Sequence, residues 1–416
     1  MKRISRGRAY FAGSGLGPML LRNVAGTGAV RLAAMAASFL VGVQLARMLG
    51  VEDYGYYGLA LSIVTIAGIP GELGLPKLVT REVSAAAATG NHASLFGVLR
   101  WARRTGLRMS ATMAVIAFAS AFLVATNRPS VLAMAILLGV PVIPLMALAK
   151  IEGGAMQGLN QVVRGQIPAN LFRPLLLSAI LLAVQLLRLP VDSAGAMALN
   201  SITAAAAYVL ALVWLRDLLP PVVPAELVRT GRKWLASSIP MAMTDGLRGL
   251  QTELSTLLLG AIAAPTAVGL FRVASGTALM ASIATNIVAV AAMPTVARLY
   301  AAGDHERLRN VVTAAARGQF AGVVILSLPV LVAAPFLLGL VFGPGYEAAA
   351  TPLRILATAQ IVSSAFGPNV MLLNMTHHER RVTRAMGVAL AVNIVTLPLL
   401  VHFWGVTGAA VALLIG

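Results

Sequence analysis

The chain has 416 residues, 58% hydrophobic and 11% charged, with a mean hydropathy of +0.85. A soluble domain averages about 45–50% apolar and about 25% charged residues, so this composition excludes a soluble enzyme, a disordered tail and a DNA-binding domain, and indicates a polytopic membrane protein. The 32 basic residues against 14 acidic ones are therefore tested first as topology, and the absence of cysteine removes disulfides, thiolate nucleophiles and cysteine-bound metals.

The N-terminal stretch MKRISRGRAYFAGSGLGPMLLRNVAG has a basic start but no compact apolar run with a small-residue cleavage site. It reads as an uncleaved tail. Apolar segments long enough to cross a bilayer follow at 22–46, 56–80, 105–126, 131–149, 169–187, 194–215, 233–260, 267–295, 318–341, 352–374, 385–403 and from 405 onward. The expectation is an all-α protein of about twelve transmembrane helices. When the basic residues are assigned to alternate ends of these spans, 24 fall on the side of the N-terminus. Only Arg47, Arg128 and Arg188 fall on the other. By the positive-inside rule the N-terminus is cytoplasmic. The net charge thus reports orientation and contact with membrane lipids, not nucleic acid.

A long internal repeat divides the chain. Leu49-Gly50 recurs at Leu259-Gly260, Arg104 at Arg317, Leu159-Asn160 at Leu373-Asn374, and Gly195 at Gly408. The offsets run from 210 to 214. Two six-helix lobes are expected, 1–218 with the cytoplasmic tail and 219–416, related by a pseudo-two-fold axis along the membrane normal. The repeat would carry span twelve to near residue 428, so its helix is expected to be incomplete at Gly416.

Charge deep in a span is costly and points to function. Arg31, Asp245 and Arg248 lie deepest; Arg173, Arg272 and Arg354 sit about one turn inside their spans, where snorkelling to the headgroups is the alternative. Thr244, Asp245, Arg248, Gly249, Thr252 and Glu253 form a polar stripe along span seven. It reads either as a cavity wall or as a self-neutralised Asp245–Arg248 pair. Span two carries Glu72 inside AGIPGELGLP, where Pro70, Gly71, Gly74 and Pro76 predict a break: a hinge for the outward end, or a static kink. The substrate candidates are Arg31, Arg248, Arg173 and Arg272; the coupling or charge-pair candidates are Asp245, Glu253 and Glu72. Arginine suits phosphate because it stays charged and donates in a fork. His377-His378-Glu379 reads as a wet loop; no metal site and no cofactor is expected. Gly26-Thr-Gly28 lies in a span and reads as helix packing.

The segment RNVAGTGAVRLAAMAASFLVGVQLARMLGVEDYGYYGLALSIVTIAGIPGELGLPKLVTREVS resembles the opening of polysaccharide-transporter (O-antigen, lipid-linked oligosaccharide) flippases of the multidrug/oligosaccharidyl-lipid/polysaccharide exporter superfamily. The residues that carry the likeness are Arg47, Leu49, Gly50, Tyr54, Gly55, Gly74 and Leu75. In the second half VGLFRVASGTALM, Pro294 and Gly303-Asp304 look similar. The resemblance implies export of an undecaprenyl-pyrophosphate-linked oligosaccharide across a bacterial or archaeal inner membrane, driven by an ion gradient. Consistently, no phosphate-binding GxxxxGK[ST] loop occurs. It also implies a polysaccharide polymerase and glycosyltransferases as working partners. The alternatives are a multidrug/cation antiporter of the same superfamily and a peptidoglycan-precursor flippase. A membrane glycosyltransferase is disfavoured because it needs a large outer loop.

Overall fold

The computed structural model describes residues 16–127, 130–220, 231–375 and 379–415. Every regular element among them is helical. The fold is a polytopic bundle of twelve spans in two lobes. Spans one and two form one continuous path, Leu16–Glu72, broken at Gly50, whose φ of 74° and ψ of 178° no other residue type adopts comfortably. Span two resumes as Leu75–Ala88. Span three is His92–Asn127; span four is Val131–Gly139 continued by Val142–Gly158. Span five comprises Val162–Ile167, a π turn at Pro168–Phe172, and Arg173–Leu186. Span six is Ser193–Arg216, span seven Gly231–Ile262, and span eight Pro265–Leu279 with Ser282–Ala301. Span nine is His305–Phe342, and span ten is Ala350–Ala365 with Asn369–Met375. Spans eleven and twelve share Glu379–Ile415, broken at Gly405.

Among the described residues, eight helical stretches are long and apolar enough to cross a membrane on their own. Two of these each join a pair of spans across a glycine break. Spans seven and ten are not among the eight. Span seven carries Asp245, Arg248 and Glu253, and span ten is interrupted at Phe366–Pro368. Large apolar side chains point outward, among them Val115, Phe336 and Phe403 at 66%, 68% and 75% exposure. A soluble surface does not carry such a belt; a lipid-facing one does.

The repeat is realised in the contact between lobes. Spans two and eight cross at Gly55 and Gly269. A Cβ on Gly55 would lie 1.9 Å from the Pro265 carbonyl oxygen, and one on Gly269 would lie 2.2 Å from that of Val51. Gly55 and Gly269 are 214 positions apart, as are Val51 and Pro265. Each lobe therefore makes the other's contact, which is the signature of a two-fold relation. Beside this crossing, Leu59 of span two packs on Gly260 of span seven.

The span-two break lies where the sequence places it. Leu73 and Gly74 have φ of 41° and 66°. A Cβ on Gly74 would sit 2.6 Å from the Ser238 oxygen of span seven. The break is near the basic end of the bundle, about one turn before Lys77 and two before Arg81, and not at the Gly50 end.

At the Gly50 end the lobes meet through span nine. Arg47 Nε donates to the Val341 carbonyl at 2.7 Å and its Nη2 donates to that of Leu340, answering last-turn carbonyls that lack a helical partner. Tyr346 Oη donates to the Ala46 carbonyl at 3.0 Å, and Phe39 meets Phe342 edge-on at 5.8 Å. Burial, with a smaller contribution from the Tyr54 phenol, pushes the Tyr346 phenol up, so its hydroxyl remains a donor.

Candidate functional site

A cavity of about 1200 Å³ lies between the lobes. Span one supplies Arg31, span two Tyr54 and Tyr57, span five Arg173, span seven Glu253 and span eight Arg272. Phe39, Leu45 and Phe342 close it towards the Gly50 end. Among the described residues, three arginines and one carboxylate are thus its charged lining, a net positive wall.

Each arginine is placed differently. Arg31 is exposed, and among the described residues no carboxylate lies within ion-pair distance of it or of Arg173. Arg173 follows the π turn at once. Pro168 cannot donate a backbone hydrogen bond, and its carbonyl instead accepts from Arg173 N five residues on. Across the turn, Gln166 before it, Asn170 within it, and Arg173 and Leu177 after it share the cavity face. Arg173 Nη2 donates to Asn200 Oδ1 at 2.6 Å, and Asn200 Nδ2 donates to Tyr57 Oη at 3.1 Å.

Arg272 sits on the seam. It is the two-fold counterpart of Gly58, and its side chain fills the space that a Cβ at 58 would need: Cδ lies 2.2 Å from that position. Its Nη1 donates to the Gly58 carbonyl at 3.1 Å and to Ser62 Oγ at 3.2 Å. Glu253 Oε2 accepts from Ser62 Oγ at 2.6 Å and lies 3.9 Å from Arg272 Nη1. The repeat is broken here, so a single arginine bridges both lobes.

The other candidates lie elsewhere. Asp245 pairs with Lys77 of span two, both substantially exposed at 40% and 54%. It does not pair with Arg248, which is exposed and off the cavity lining. Glu72 pairs with Lys150 of span four. Gly71 packs on Ser110 of span three, while Pro70 remains inside the helix and Pro76 opens the next. Thr244 has a side chain outside the described set, as does Pro294; residues 376–378, including the histidine pair, lie outside the described residues. Arg354 donates to the Leu331 carbonyl at 2.9 Å.

Sequence reading missed Asn200, Tyr57 and the wholly buried Glu152, which Arg103 engages with two bonds of 2.7 Å each. Asn200 and Tyr57 carry no charge to stand out in an apolar span. Glu152 and Lys150 were lost because the expected span four ended at 149, whereas the helix runs to Gly158.

No curated protein matches the sequence. Among solved structures, an inward-facing multidrug resistance MATE family transporter of the MOP superfamily superposes with a TM-score of 0.73 at 12% identity, over 92% of this chain and 90% of that one. The lipid II flippase MurJ in an inward closed conformation gives 0.73 at 11% identity, over 92% and 82%. A MOP superfamily transporter from Pyrococcus furiosus, described as having a binding pocket of reverse polarity, gives 0.66 at 12% identity, over 97% and 95%. At these identities the likeness establishes the fold. A sequence model of the family described as polysaccharide biosynthesis protein matches residues 20–300, about two thirds of the chain. The chain therefore belongs to the polysaccharide biosynthesis protein family.

Proposed function

We propose that this protein is a flippase that carries a lipid-linked oligosaccharide, anchored through a polyprenyl diphosphate, across a prokaryotic inner membrane by alternating access. The lobes are taken as 1–218 and 219–416, with the N-terminus cytoplasmic. The fold by itself does not select a cargo, because a multidrug transporter and a lipid II flippase superpose equally well. The observation that carries the reading is the sign of the cavity. Among the described residues, Arg31, Arg173 and Arg272 face Glu253 alone, leaving an excess of two positive charges. A diphosphate diester brings two negative charges. In a site shielded from water such charges attract strongly, and arginine forks match phosphate oxygens. A cationic drug would meet the opposite field. Family membership supports the same cargo class.

The test is reconstitution into vesicles with a fluorescent polyprenyl-diphosphate disaccharide, following lectin access to the sugar from outside. Accelerated crossing is expected, reduced at least about tenfold in Arg31→Gln, the loss of one charge-assisted contact. Efflux of a cationic dye with no movement of the disaccharide would replace this reading by the antiporter.

A further inference from the structure

The cavity arginines differ in the kind of partner that holds them. Arg272 is answered by a carboxylate, Glu253, and by two oxygens of span two. Arg173 is held by a neutral amide. Asn200 is 2% exposed and accepts from the guanidinium through Oδ1. Its Nδ2 is engaged by the Tyr57 oxygen. Tyr57 is itself buried and stacked on Tyr54, with ring centroids 6.2 Å apart. A flipped amide would set a donor against the guanidinium, which has only donors, so Arg173 itself keeps the Asn200 acceptor turned towards it, and Tyr57 Oη holds the other end of the amide. An aspartate has the same shape as asparagine and would have neutralised the arginine in place. The asparagine fixes the fork and leaves its charge intact. The π turn ending at Phe172, immediately before Arg173, is a second observation, since such turns inside helices are frequent at functional sites.

We propose that Asn200, anchored at its Nδ2 by Tyr57, is a positioning residue that presents Arg173 as a preset and still-charged donor to a diphosphate oxyanion. The headgroup then docks on the Arg173 wall, and Arg272 stays with Glu253 as the bridge between lobes. The cargo assignment rests on the flippase reading above; the oxyanion site does not, because inorganic pyrophosphate and a lipid diphosphate share the same chemistry.

The full chain, purified in detergent, is titrated calorimetrically with inorganic pyrophosphate and with farnesyl diphosphate, and its thermal midpoint is recorded. Asn200→Asp places a carboxylate against Arg173. It is expected to weaken both probes at least about tenfold, as Arg173→Gln does, while the midpoint stays level or rises through the new ion pair. Tyr57→Phe loosens the amide and is expected to weaken binding less. A structural asparagine predicts instead that binding falls only together with the midpoint, and that result overturns the proposal. So does farnesyl diphosphate binding unchanged in Asn200→Asp, which leaves the flippase reading standing. Wild-type binding of pyrophosphate alone, lost in Asn200→Asp, keeps the oxyanion site and removes the lipid cargo. Binding of neither probe by the wild type overturns both.

Discussion

At the residue scale, several charges in the spans are explained by what their side chains reach, and depth alone does not say what that is. Arg354 is the clearest case. Pro335 in span nine has no N–H to give to Leu331, four residues earlier, and the helix departs from its path at Ala333. Arg354 supplies the missing donor at 2.9 Å and reaches the next carbonyl, of Val332, at 3.4 Å. Replacing Arg354 with alanine should therefore lower stability by about 1–3 kcal/mol, because a carbonyl at membrane depth loses its partner; thermal unfolding in detergent reads it. Asp245→Asn should cost less than about 1 kcal/mol, since its pair with Lys77 is well exposed. These two expectations reverse the order that the sequence suggests. Helical spacing places Asp245 and Arg248 on one face, but it cannot see a lysine arriving from span two. Arg31, Arg173 and Arg272 are legible because charge is rare in apolar runs. Asn200 and Tyr57 are not, because uncharged polar groups are common in spans and only tertiary contact gives them a role.

At the scale of elements, the seam between spans two and eight decides how the lobes meet. Gly55 and Gly269 each face a backbone carbonyl of the other lobe, which cannot swing aside as a side chain can. Alanine at either position should destabilise by about 1–3 kcal/mol, the range for forcing atoms into a filled space, and by similar amounts at the two sites if the lobes are equivalent there. Gly58→Ala should behave differently. Its Cβ would meet Arg272 Cδ, part of a flexible side chain. The protein should keep more of its stability while losing the Arg272 bridge to Gly58 and Ser62, and with it transport. Equal losses of stability in all three variants would remove the distinction. The repeat itself was readable from Leu49-Gly50 and its successors. The 214-residue register of the crossing was not, because it depends on which glycines touch. The breaks show the same division. Pro70 to Pro76 announce the one in span two, but the Gly74 contact with Ser238 that fixes its position belongs to the packing of the two lobes.

At the scale of the whole molecule, the two ends of the bundle differ in charge and in the way they close. One end carries Lys77, Arg81, Arg100, Arg103 and Arg104 on spans two and three, and the lobes meet there through Lys77–Asp245 and through Trp101 beside Trp234 at 5.5 Å. The other end is closed by Arg47, Tyr346 and the Phe39–Phe342 contact, with few other basic groups. A membrane protein inserts with its basic loops on the cytoplasmic side, so the Lys77 end should face the cytoplasm and the Gly345 turn the outside. The cavity is closed by aromatic side chains towards the Gly345 turn, and under the proposed flippase function a charged headgroup made in the cytoplasm would then reach Arg31 from the basic end. Because the chain has no cysteine, single cysteines report this without a background. A cysteine at position 92 or 305 should react with an impermeant maleimide only after the cells are opened, and one at 190 or 345 should react in intact cells. The reverse pattern would turn the cavity's closed end towards the cytoplasm. The arginines would then be presented to the compartment where the cargo is delivered, and the direction of transport argued from their position would fall with the topology.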